Sequence, residues 1–284
     1  MATLLQLRTS LKRTLIDPNA RYVADSVYTE YINKAQDQFA HDTEALEHIT
    51  GFSVTTGVNR VTPPADFIRP RKFTYKDQWD LTPQDIINFT ERWGFMGSFN
   101  SWPMKYTIFE DGIRLWPAPS ETSTATTMND PGGINATDAS VILTSAAAFP
   151  TNGIITIESE KIEYFGKTSN TLNNLRRGIG GTVAAAHADA TAVTLAFLRM
   201  AYYARFKTLV ADGDVSEVPD RYTHILIYYA AHLGWLDNTD LGMALKYRDL
   251  YDKTIVSVAA AVDEEQRESP AIVQSIDRHS RMYL

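Results

Sequence analysis

The N-terminal part of the chain carries apolar residues at helical spacing. Leucines recur every three or four positions through residues 3–16, which is the spacing of one face of an α-helix. Asp17-Pro18-Asn19 predicts the end of this helix. A second helix is expected to begin at Asp25 or Ser26, which suit the N-cap position, and to end at Gly51. Its apolar stripe consists of Tyr28, Tyr31, Ile32, Ala35 and Phe39.

The C-terminal part is predicted to be helical as well. A strand over residues 195–206 precedes it, and Pro219 suits the first turn of a helix. A last long helix, ended by Pro270, has apolar residues at near-heptad spacing, which favours packing against another helix. These residues are Ala244, Tyr247, Tyr251, Ile255, Val258 and Val262.

Between the helical ends, the pattern changes to β-branched and aromatic residues. Hairpins are predicted over residues 52–61 and 105–116, and a strand over 73–79. Thr82-Pro83 suits the start of a short helix, with threonine as cap and proline in the first turn. Residues 93–102 are aromatic and rich in glycine, and they are expected to form an ordered loop.

A boundary follows, because residues 120–140 are rich in Ser, Thr, Asn, Asp and Gly. Short strands separated by turns continue to residue 195. The sequence therefore predicts an α+β protein, in which two N-terminal and two C-terminal helices form a bundle with a small antiparallel β section. This host domain, 1–123 and 195–284, carries an inserted all-β barrel or sandwich over 124–194. The strands that flank the insert are expected to pair, since insertions succeed where the two ends lie close together.

Composition narrows the classes of function. The 284 residues carry a net charge of −7 and no long Lys/Arg run, whereas nucleic-acid binding relies on basic groups that neutralise phosphates. No apolar run approaches the ~20 residues of a membrane span. The N-terminus lacks the basic segment and apolar core of a secretory signal. The absence of cysteine excludes disulfides, thiol nucleophiles and thiolate metal sites.

Two motifs resemble phosphate-binding loops but do not have the required context. Gly166-Lys167-Thr168 lacks the glycine five residues earlier, where Lys161 stands, and no helix is predicted to follow it. A lysine in a hairpin turn is the favoured interpretation. The run from Arg176 to Thr182 could cradle an anion, but a tight loop with glycines at positive φ is favoured.

Acidic and histidine residues offer weak candidates for catalysis or metal binding. Glu158, Glu160 and Glu163 could supply the paired carboxylates of a glycosidase, although a solvated strand face is the favoured interpretation. His41 and His48 are predicted on one helix face but lie seven residues apart. That spacing is roughly 10 Å along a helix, too far for one metal ion. We therefore predict no catalytic residue, no metal and no cofactor.

The aromatic run around residues 93–106 could stack sugars or bases. A core or a subunit interface is the favoured interpretation, because aromatic residues are enriched in both. Its members are Trp93, Phe95, Phe99, Trp102 and Tyr106.

Three parts of the chain, about 1–122 and 196–284, resemble the head-to-tail adaptor (connector) proteins of tailed bacteriophages. Leu4-Leu5-Gln6-Leu7-Arg8 and Tyr31-Ile32-Asn33-Lys34 are similar to the first two helices of that family. Ile113-Arg114-Leu115-Trp116-Pro117 resembles its β section. Asp214-Val215-Ser216-Glu217-Val218-Pro219 resembles the return to the helices. The insert resembles a small β module of phage virion proteins through Ile157-Glu158-Ser159-Glu160 and Arg177-Gly178 among other motifs. Ala190 stands where that module has a glycine, so the last turn is expected to differ.

The resemblance implies a structural virion protein, not an enzyme. Such adaptors form a ring, usually of twelve copies, that joins the portal to the tail and extends the DNA channel without sequence-specific DNA binding. Portal docking is expected from a C-terminal tail over about 270–284: Ile272, Ile276, Arg278, Arg281, Met282, Tyr283 and Leu284. Subunit contacts are expected from Trp93, Phe95, Trp102, Tyr247, Tyr251 and Ile255. Acidic residues facing the channel are expected to be Glu264, Glu265 and Glu268.

Two alternatives remain open. The chain could be a virion-associated enzyme that degrades peptidoglycan with a pair of carboxylates. It could also be a binding module, in which the insert recognises a receptor or glycan. The structural adaptor is the leading hypothesis. It places the protein at the head–tail junction of a virion assembled in the host cytoplasm, with the portal and a tail-completion, nozzle or tube protein as partners.

Overall fold

The computed structural model describes residues 1–17, 23–89, 99–109 and 112–268, with the backbone alone for Phe89, Asp263 and residues 265–268. The chain divides into two compact units, one from Met1–Leu46 and Arg205–Leu284 and the other from Glu47–Ala204. We call them the helical unit and the β unit. The described part contains five α-helices and many antiparallel strands, which confirms the predicted α+β class.

The helices are α1 (Leu4–Thr14), α2 (Asp25–Thr43), α3 (Ile86–Phe89), α4 (Thr223–Asp237) and α5 (Leu241–Glu268), and all except α3 belong to the helical unit. Helix α1 begins with a capping box in which Thr3 and Gln6 bond each other's backbone N–H groups. Its predicted leucines are buried, and so is the predicted stripe of α2. The two N-terminal helices are therefore confirmed.

Two predicted boundaries of these helices are wrong. The N-cap of α2 is Ala24, which makes no side-chain cap bond, rather than Asp25 or Ser26. The helix ends at Thr43 because Glu44 takes a left-handed conformation, with φ 51°. Gly51 lies instead in a strand, which also removes His48 from the face of His41. A 3₁₀ turn over Asp220–Tyr222 follows Pro219 and leads into α4.

Tyrosine–aspartate hydrogen bonds connect the helices of the helical unit. The Tyr28 hydroxyl on α2 donates to Asp17, which follows α1, at 2.8 Å. The Tyr31 hydroxyl donates to Asp237 at the end of α4. The Tyr251 hydroxyl on α5 donates to Asp42 at 2.7 Å. Burial, followed by the hydrogen bond to aspartate, raises the pKa of all three tyrosines.

The first part of the β unit forms three sheets. Strands β1 (Glu47–Phe52), β18 (Leu198–Ala204), β3 (Phe67–Tyr75) and β4 (Trp79–Asp80) form an antiparallel sheet in that order. Strands β2 (Arg60–Val61), β8 (Gly112–Trp116), β7 (Lys105–Phe109) and β5 (Thr82–Pro83) form a second, in which β5 pairs parallel to β7. Strands β6 (Asn100–Ser101) and β9 (Ala118–Pro119) pair in parallel. Buried and half-buried residues alternate along β18, as expected for a strand in the interior of a sheet.

Three local predictions for this region are wrong, and one is confirmed. Residues 73–79 do not form one strand, because β3 ends at Tyr75 and turns back to pair with β4. Residues 52–61 do not form a hairpin, because β1 pairs with β18 and β2 with β8. Thr82-Pro83 is a strand, and the short helix α3 begins after Asp85, whose carboxylate accepts the N–H of Ile87 at 3.1 Å. The β7–β8 pairing confirms the second hairpin, although its turn at residues 110–111 lies outside the described residues.

The strands predicted within the insert pair with one another. One sheet has the order β10 (Ala125–Thr127), β17 (Ala192–Leu195), β12 (Gly153–Ile157), β13 (Glu160–Tyr164) and β16 (Leu175–Arg176). The other has the order β11 (Ser140–Ile142), β15 (Thr171–Asn173) and β14 (Lys167–Thr168). Both are open, and no closed barrel is formed within the described residues. Their core contains Val141, Ile155, Ile157, Ile162, Tyr164, Leu172 and Val193.

The pairing at the ends of this region differs from the expectation. The flanking strands β8 and β18 do not pair with each other, whereas β10 and β17, the first and last strands of the predicted insert, do. The two ends of the predicted insert therefore lie side by side because its own first and last strands pair. Ala190 has φ 61°, so the last turn keeps the left-handed conformation that glycine favours.

Candidate functional site

Several predicted contact residues lie outside the described part of the chain. They are the whole predicted portal-docking tail (Ile272, Ile276, Arg278, Arg281, Met282, Tyr283 and Leu284) together with Trp93 and Phe95. Their roles remain predictions.

Trp102 lies on the surface of the β unit and is 44% exposed. Its ring packs against Trp79, with the ring centroids 4.3 Å apart. The indole N–H donates to Glu121 at 3.2 Å, and the Lys76 ammonium donates to the other oxygen of Glu121 at 2.7 Å. The hydrogen bond from Lys76 lowers the pKa of Glu121. The tryptophan pair therefore combines exposed apolar area with a fixed polar rim, the arrangement typical of a protein interface.

Other large apolar side chains are exposed along the neighbouring strands of the β unit. They come from the residues next to β6 and from both ends of β7, where the sheet alternation directs some side chains outward. They are Phe99, Met104, Ile108 and Phe109. With Trp79 and Trp102, they are the large apolar side chains that this part of the β unit exposes.

The predicted contact residues of α5 are mostly inside the helical unit. Tyr251 is fully buried, and Ile255 is buried as well. Tyr247 is half-buried, with its ring centroid 6.5 Å from that of Tyr228 on α4. A neighbouring side of α5 exposes Leu241, Leu245 and Val256 instead.

Of the three predicted channel-facing carboxylates, Glu264 is exposed on the last turns of α5. Glu265 and Glu268 lie in the same helix, and their side chains are outside the described atoms. All three residues thus belong to one helical segment at the end of the described chain.

A buried charge network lies in the insert region, where a solvated strand face was expected. Glu160 is buried on β13, and both of its oxygens accept hydrogen bonds from Arg177 at 2.8 Å. The backbone N–H groups of Gly178 and Ala185 donate to the same carboxylate at 3.0 Å. The His187 ring lies between two carboxylates, with Nε2 2.8 Å from Glu160 and Nδ1 2.9 Å from Glu158. The expectation of a solvated face is therefore wrong for Glu160.

The electrostatics of this network do not suit general acid catalysis. Burial alone would raise the pKa of Glu160, but the hydrogen bonds from Arg177, the Ala185 N–H and His187, with the charge of Arg177, lower it to about 2. A glycosidase acid needs a raised pKa and access to substrate. Glu163 is also buried and is bonded by Arg199. Glu160 is thus the carboxylate that organises the loop from Arg177 to His187.

The two loops that resemble phosphate sites are occupied by the protein's own groups. The Lys167 ammonium donates to the backbone carbonyls of Phe149 at 2.5 Å and Ala146 at 3.1 Å. Gly178, Gly180 and Gly181 all have positive φ, as the tight-loop interpretation requires. The anion beside this glycine loop is the carboxylate of Glu160.

The same glycine loop packs on the host strands of the β unit. A Cβ at Gly180 would lie 2.6 Å from the Thr50 hydroxyl, and one at Gly181 would lie 3.1 Å from the Asp66 carboxylate. The Lys161 ammonium donates to the Thr50 hydroxyl at 2.6 Å, and burial lowers the pKa of Lys161. Asp66 in turn lies 2.8 Å from His48 Nδ1. Insert residues and host strands therefore share one packed contact.

Within the described residues, no group of three or more His, Cys, Asp or Glu side chains could hold a metal ion. No helix among those residues is long and apolar enough to cross a membrane.

A comparison with protein families gives one match. The family model described as SU10 adaptor protein matches residues 2–154, which is more than half of the chain. The chain belongs to the SU10 adaptor family. It is therefore a phage adaptor-type protein. A search of curated proteins gives no match.

The SU10 adaptor match covers α1, α2 and the β unit as far as the start of β12. It thus reaches into the region predicted as an insert, whose boundaries at 124 and 194 remain a prediction. The family is one of structural phage adaptors, so this SU10 adaptor protein is a structural protein and a virion component.

Sequence reasoning missed the buried network of this SU10 adaptor protein, although a signal was present. Glu160 alternates with Ile162 and Tyr164, so all three side chains share one face of β13. That face is apolar, which requires a buried partner for the carboxylate. The partner, Arg177, lies beyond three intervening strands, and the sequence pattern does not identify it.

Proposed function

We propose that this protein is a ring-forming adaptor that joins the portal to the tail and extends the DNA channel. Membership of the SU10 adaptor family carries the proposal. The exposed tryptophan pair on the β unit and the exposed apolar side of α5 on the helical unit support it, because a cyclic ring needs two different contact surfaces on each copy.

The charge distribution supports a channel role for the helical unit. Residues 1–46 and 205–284 contain 14 basic and 19 acidic side chains, which gives a net charge of −5. Residues 47–204 contain 13 basic and 15 acidic side chains, which gives a net charge of −2. Acidic groups repel phosphate and keep DNA mobile in a channel. We assign Glu264, Glu265 and Glu268 to the channel surface, and passing DNA is bound without sequence preference.

The test of ring formation is a mass measurement of the full chain with and without the portal protein. We expect a ring, of about twelve copies by the resemblance to connector proteins, that forms or is stabilised on the portal. A chain that stays monomeric with the portal protein present contradicts the proposal.

The portal contact is assigned to residues 270–284, which carry apolar side chains and Arg278 and Arg281. A chain that ends at Glu268 should keep the fold of both units and lose portal binding. Arg278→Ala with Arg281→Ala in the full-length chain is the finer variant, and Arg176→Ala, an exposed arginine of the β unit, is its matched control. Portal binding by the shortened chain at full strength would overturn this assignment.

A peptidoglycan-degrading activity has no support in the geometry, since the buried carboxylates are neutralised by arginines. The insert region is better suited to contact with the tail or another virion protein at the periphery, where Val183 is 81% exposed at its loop. Val183→Glu should weaken tail attachment without affecting ring mass. A zymogram on cell walls checks the enzyme alternative directly, and clearing that is lost in a carboxylate variant would establish it.

A further inference from the structure

His187 is a buried histidine whose ring faces two carboxylates. Its side chain is 1% exposed, and Nε2 lies 2.8 Å from Glu160 while Nδ1 lies 2.9 Å from Glu158. An ionised carboxylate only accepts hydrogen bonds, so each contact is a hydrogen bond only when the ring nitrogen carries a proton. A neutral imidazole has one N–H group, whereas an imidazolium has two. Both bonds to ionised carboxylates therefore form together only when His187 is doubly protonated.

The two carboxylates differ in how firmly they are held. The side chain of Glu160 has no exposed area, and Arg177 and two backbone N–H groups bind it in addition to His187. Burial raises the pKa of Glu160, but these hydrogen bonds and the charge of Arg177 lower it to about 2. The side chain of Glu158 is 61% exposed, so water can replace its bond to the ring. Glu158 is thus the partner that can leave.

The charges of this cluster balance only with the second proton on the ring. Arg177 compensates Glu160, and doubly protonated His187 compensates Glu158. Loss of one proton leaves two carboxylates and a single cation around a buried ring, which is unfavourable in an interior of low dielectric constant. The expected response is that the exposed carboxylate moves away.

The charged groups of the neighbouring loops are bound elsewhere. The Asp138 carboxylate accepts the N–H of Asn135 at 2.6 Å. The Asp189 carboxylate, two residues after His187, accepts the N–H of Asp130 at 2.9 Å. Ile134, which pairs with His187 through the backbone, is uncharged. The charged groups in contact with the ring are therefore Glu158 and Glu160, and Arg177 binds the latter.

Glu158 occupies a turn position that usually takes another residue. Ile157 pairs with Glu160, so Glu158 and Ser159 form the two-residue turn between β12 and β13. Glu158 has φ 51°, a conformation that glycine, asparagine or aspartate adopts more readily. The bond from His187 ties this turn to the interior, which a glycine at the same position could not do.

We propose that the His187–Glu158 bond is a pH-sensitive latch on the β12–β13 turn. The latch is closed while both ring nitrogens carry protons. When the Nδ1 proton leaves to solvent, Nε2–H continues to donate to the buried Glu160, and the bare Nδ1 repels Glu158, which turns into water. The opening is local, because β12 and β13 stay paired and Arg177 still holds Glu160.

An NMR titration of the histidine ring nitrogens in the full chain tests the latch. The His187 signals are assigned by their loss in His187→Gln. Glu158→Gln removes the charge but keeps an amide that can accept from a protonated Nδ1 or donate to a bare one. We expect His187 to release its proton at a pH about one unit lower in Glu158→Gln than in the unsubstituted chain, because a nearby opposite charge favours the charged ring.

Asp189→Asn is the matched control for the loss of a charge. It removes a carboxylate from the same loop, but that carboxylate binds the N–H of Asp130 rather than the ring. The midpoint of the His187 titration should shift clearly less than in Glu158→Gln. Circular dichroism confirms that both variants fold.

The mobility of the turn gives a second readout that does not depend on the ring signals. Backbone ¹⁵N relaxation at Glu158 and Ser159 should show an ordered turn below the midpoint of the His187 titration and a mobile turn above it. In Glu158→Gln the turn should stay equally ordered on both sides of the midpoint, since the amide bonds to either form of the ring.

The outcomes decide the latch without reference to the ring or the portal. A lower midpoint in Glu158→Gln, together with turn mobility that follows the titration of His187, supports it. An equal midpoint in the two proteins overturns it. A turn whose mobility is unchanged across the titration of His187 overturns it as well.

Discussion

The helical unit and the β unit differ in how an ion pair is buried: Arg177 and Glu160 of the β unit are both buried, whereas Arg8 of the helical unit pairs with the exposed Asp212. Both units contain buried tyrosine–aspartate hydrogen bonds, which in the β unit means the bond from Tyr202 to Asp66. In the helical unit, tyrosine hydroxyls donate to aspartates, so each pair contains one charge at most. In the β unit, Glu160 is held by Arg177 with two hydrogen bonds and lies beside His187. A buried ion pair fixes geometry strongly but leaves a large penalty when one partner is removed. The β unit is therefore expected to be the more sensitive to charge and to acid.

The largest effect is expected from Arg177→Met in the β unit. Loss of the guanidinium leaves the Glu160 carboxylate buried without its main partner, which should cost about 3–5 kcal/mol of unfolding free energy. Denaturant unfolding followed by hydrogen exchange measures the loss and locates it within residues 47–204.

Arg176→Met is the matched control, because Arg176 is the neighbouring residue but is 60% exposed, and its partner Glu163, 3.6 Å away, keeps its hydrogen bond from Arg199. It should change stability by less than about 1 kcal/mol. Equal effects of the two substitutions would contradict the central role of the buried pair.

The second largest effect is expected from acid, which should destabilise the β unit before it destabilises the helical unit. The pKa of Glu160 is about 2 in the folded protein and about 4.5 ordinarily, so its contribution is present above about pH 4.5 and is lost as the pH falls toward 2. The shift corresponds to about 3 kcal/mol. Hydrogen exchange at pH 5 and pH 3 should show protection lost first around β13 and the loop from Arg177 to His187.

At alkaline pH, the two units should lose stability over the same pH range. Tyrosines with raised pKa occur in both, for example Tyr31 in the helical unit and Tyr75, at about 12, in the β unit. Their stabilisation is complete below pH 10 and is lost above it in both units. For the acid prediction, loss of protection in the helical unit at a higher pH than in the β unit would contradict the expected difference between the two units.

A smaller effect is expected from Tyr251→Phe in the helical unit. The substitution removes the hydrogen bond to Asp42 and should cost about 2 kcal/mol, the magnitude of a bond to a charged acceptor. Tyr247→Phe on the same helix is the control, since its half-buried ring packs on Tyr228 and keeps that contact without the hydroxyl. Thermal unfolding of both variants compares them, and a cost for Tyr247→Phe as large as that for Tyr251→Phe would argue against the tyrosine–aspartate bond.

The smallest effect is a gain from Ala190→Gly. Ala190 has φ 61°, a conformation that costs a residue with a Cβ about 1–2 kcal/mol, so glycine should stabilise the β unit by about 1 kcal/mol. Ala186→Gly, at an exposed position without positive φ, should instead be neutral or slightly destabilising. The melting temperatures of the two variants should therefore shift in opposite directions or differ clearly, and a lower melting temperature for Ala190→Gly would exclude strain at this turn.

The candidate surfaces could be predicted only in part. Trp102 was identified from its aromatic surroundings, and it is exposed as a contact residue should be. Tyr251 was identified from the heptad spacing on α5, but that spacing marks the side that packs within the chain. Periodicity reveals that a helix has an apolar side, whereas a second, weaker stripe such as Leu241, Leu245 and Val256 becomes evident only when burial is known.

The sequence by itself determined the α+β class, the helices α1 and α2, the β7–β8 hairpin and the strands of the insert region, because local spacing and turn residues specify them. The tertiary structure alone decided that β1 pairs with β18, about 150 residues away, and that Arg177 neutralises Glu160. Such partners are chosen by burial and charge compensation across the fold. Neither quantity is encoded in the spacing of neighbouring residues.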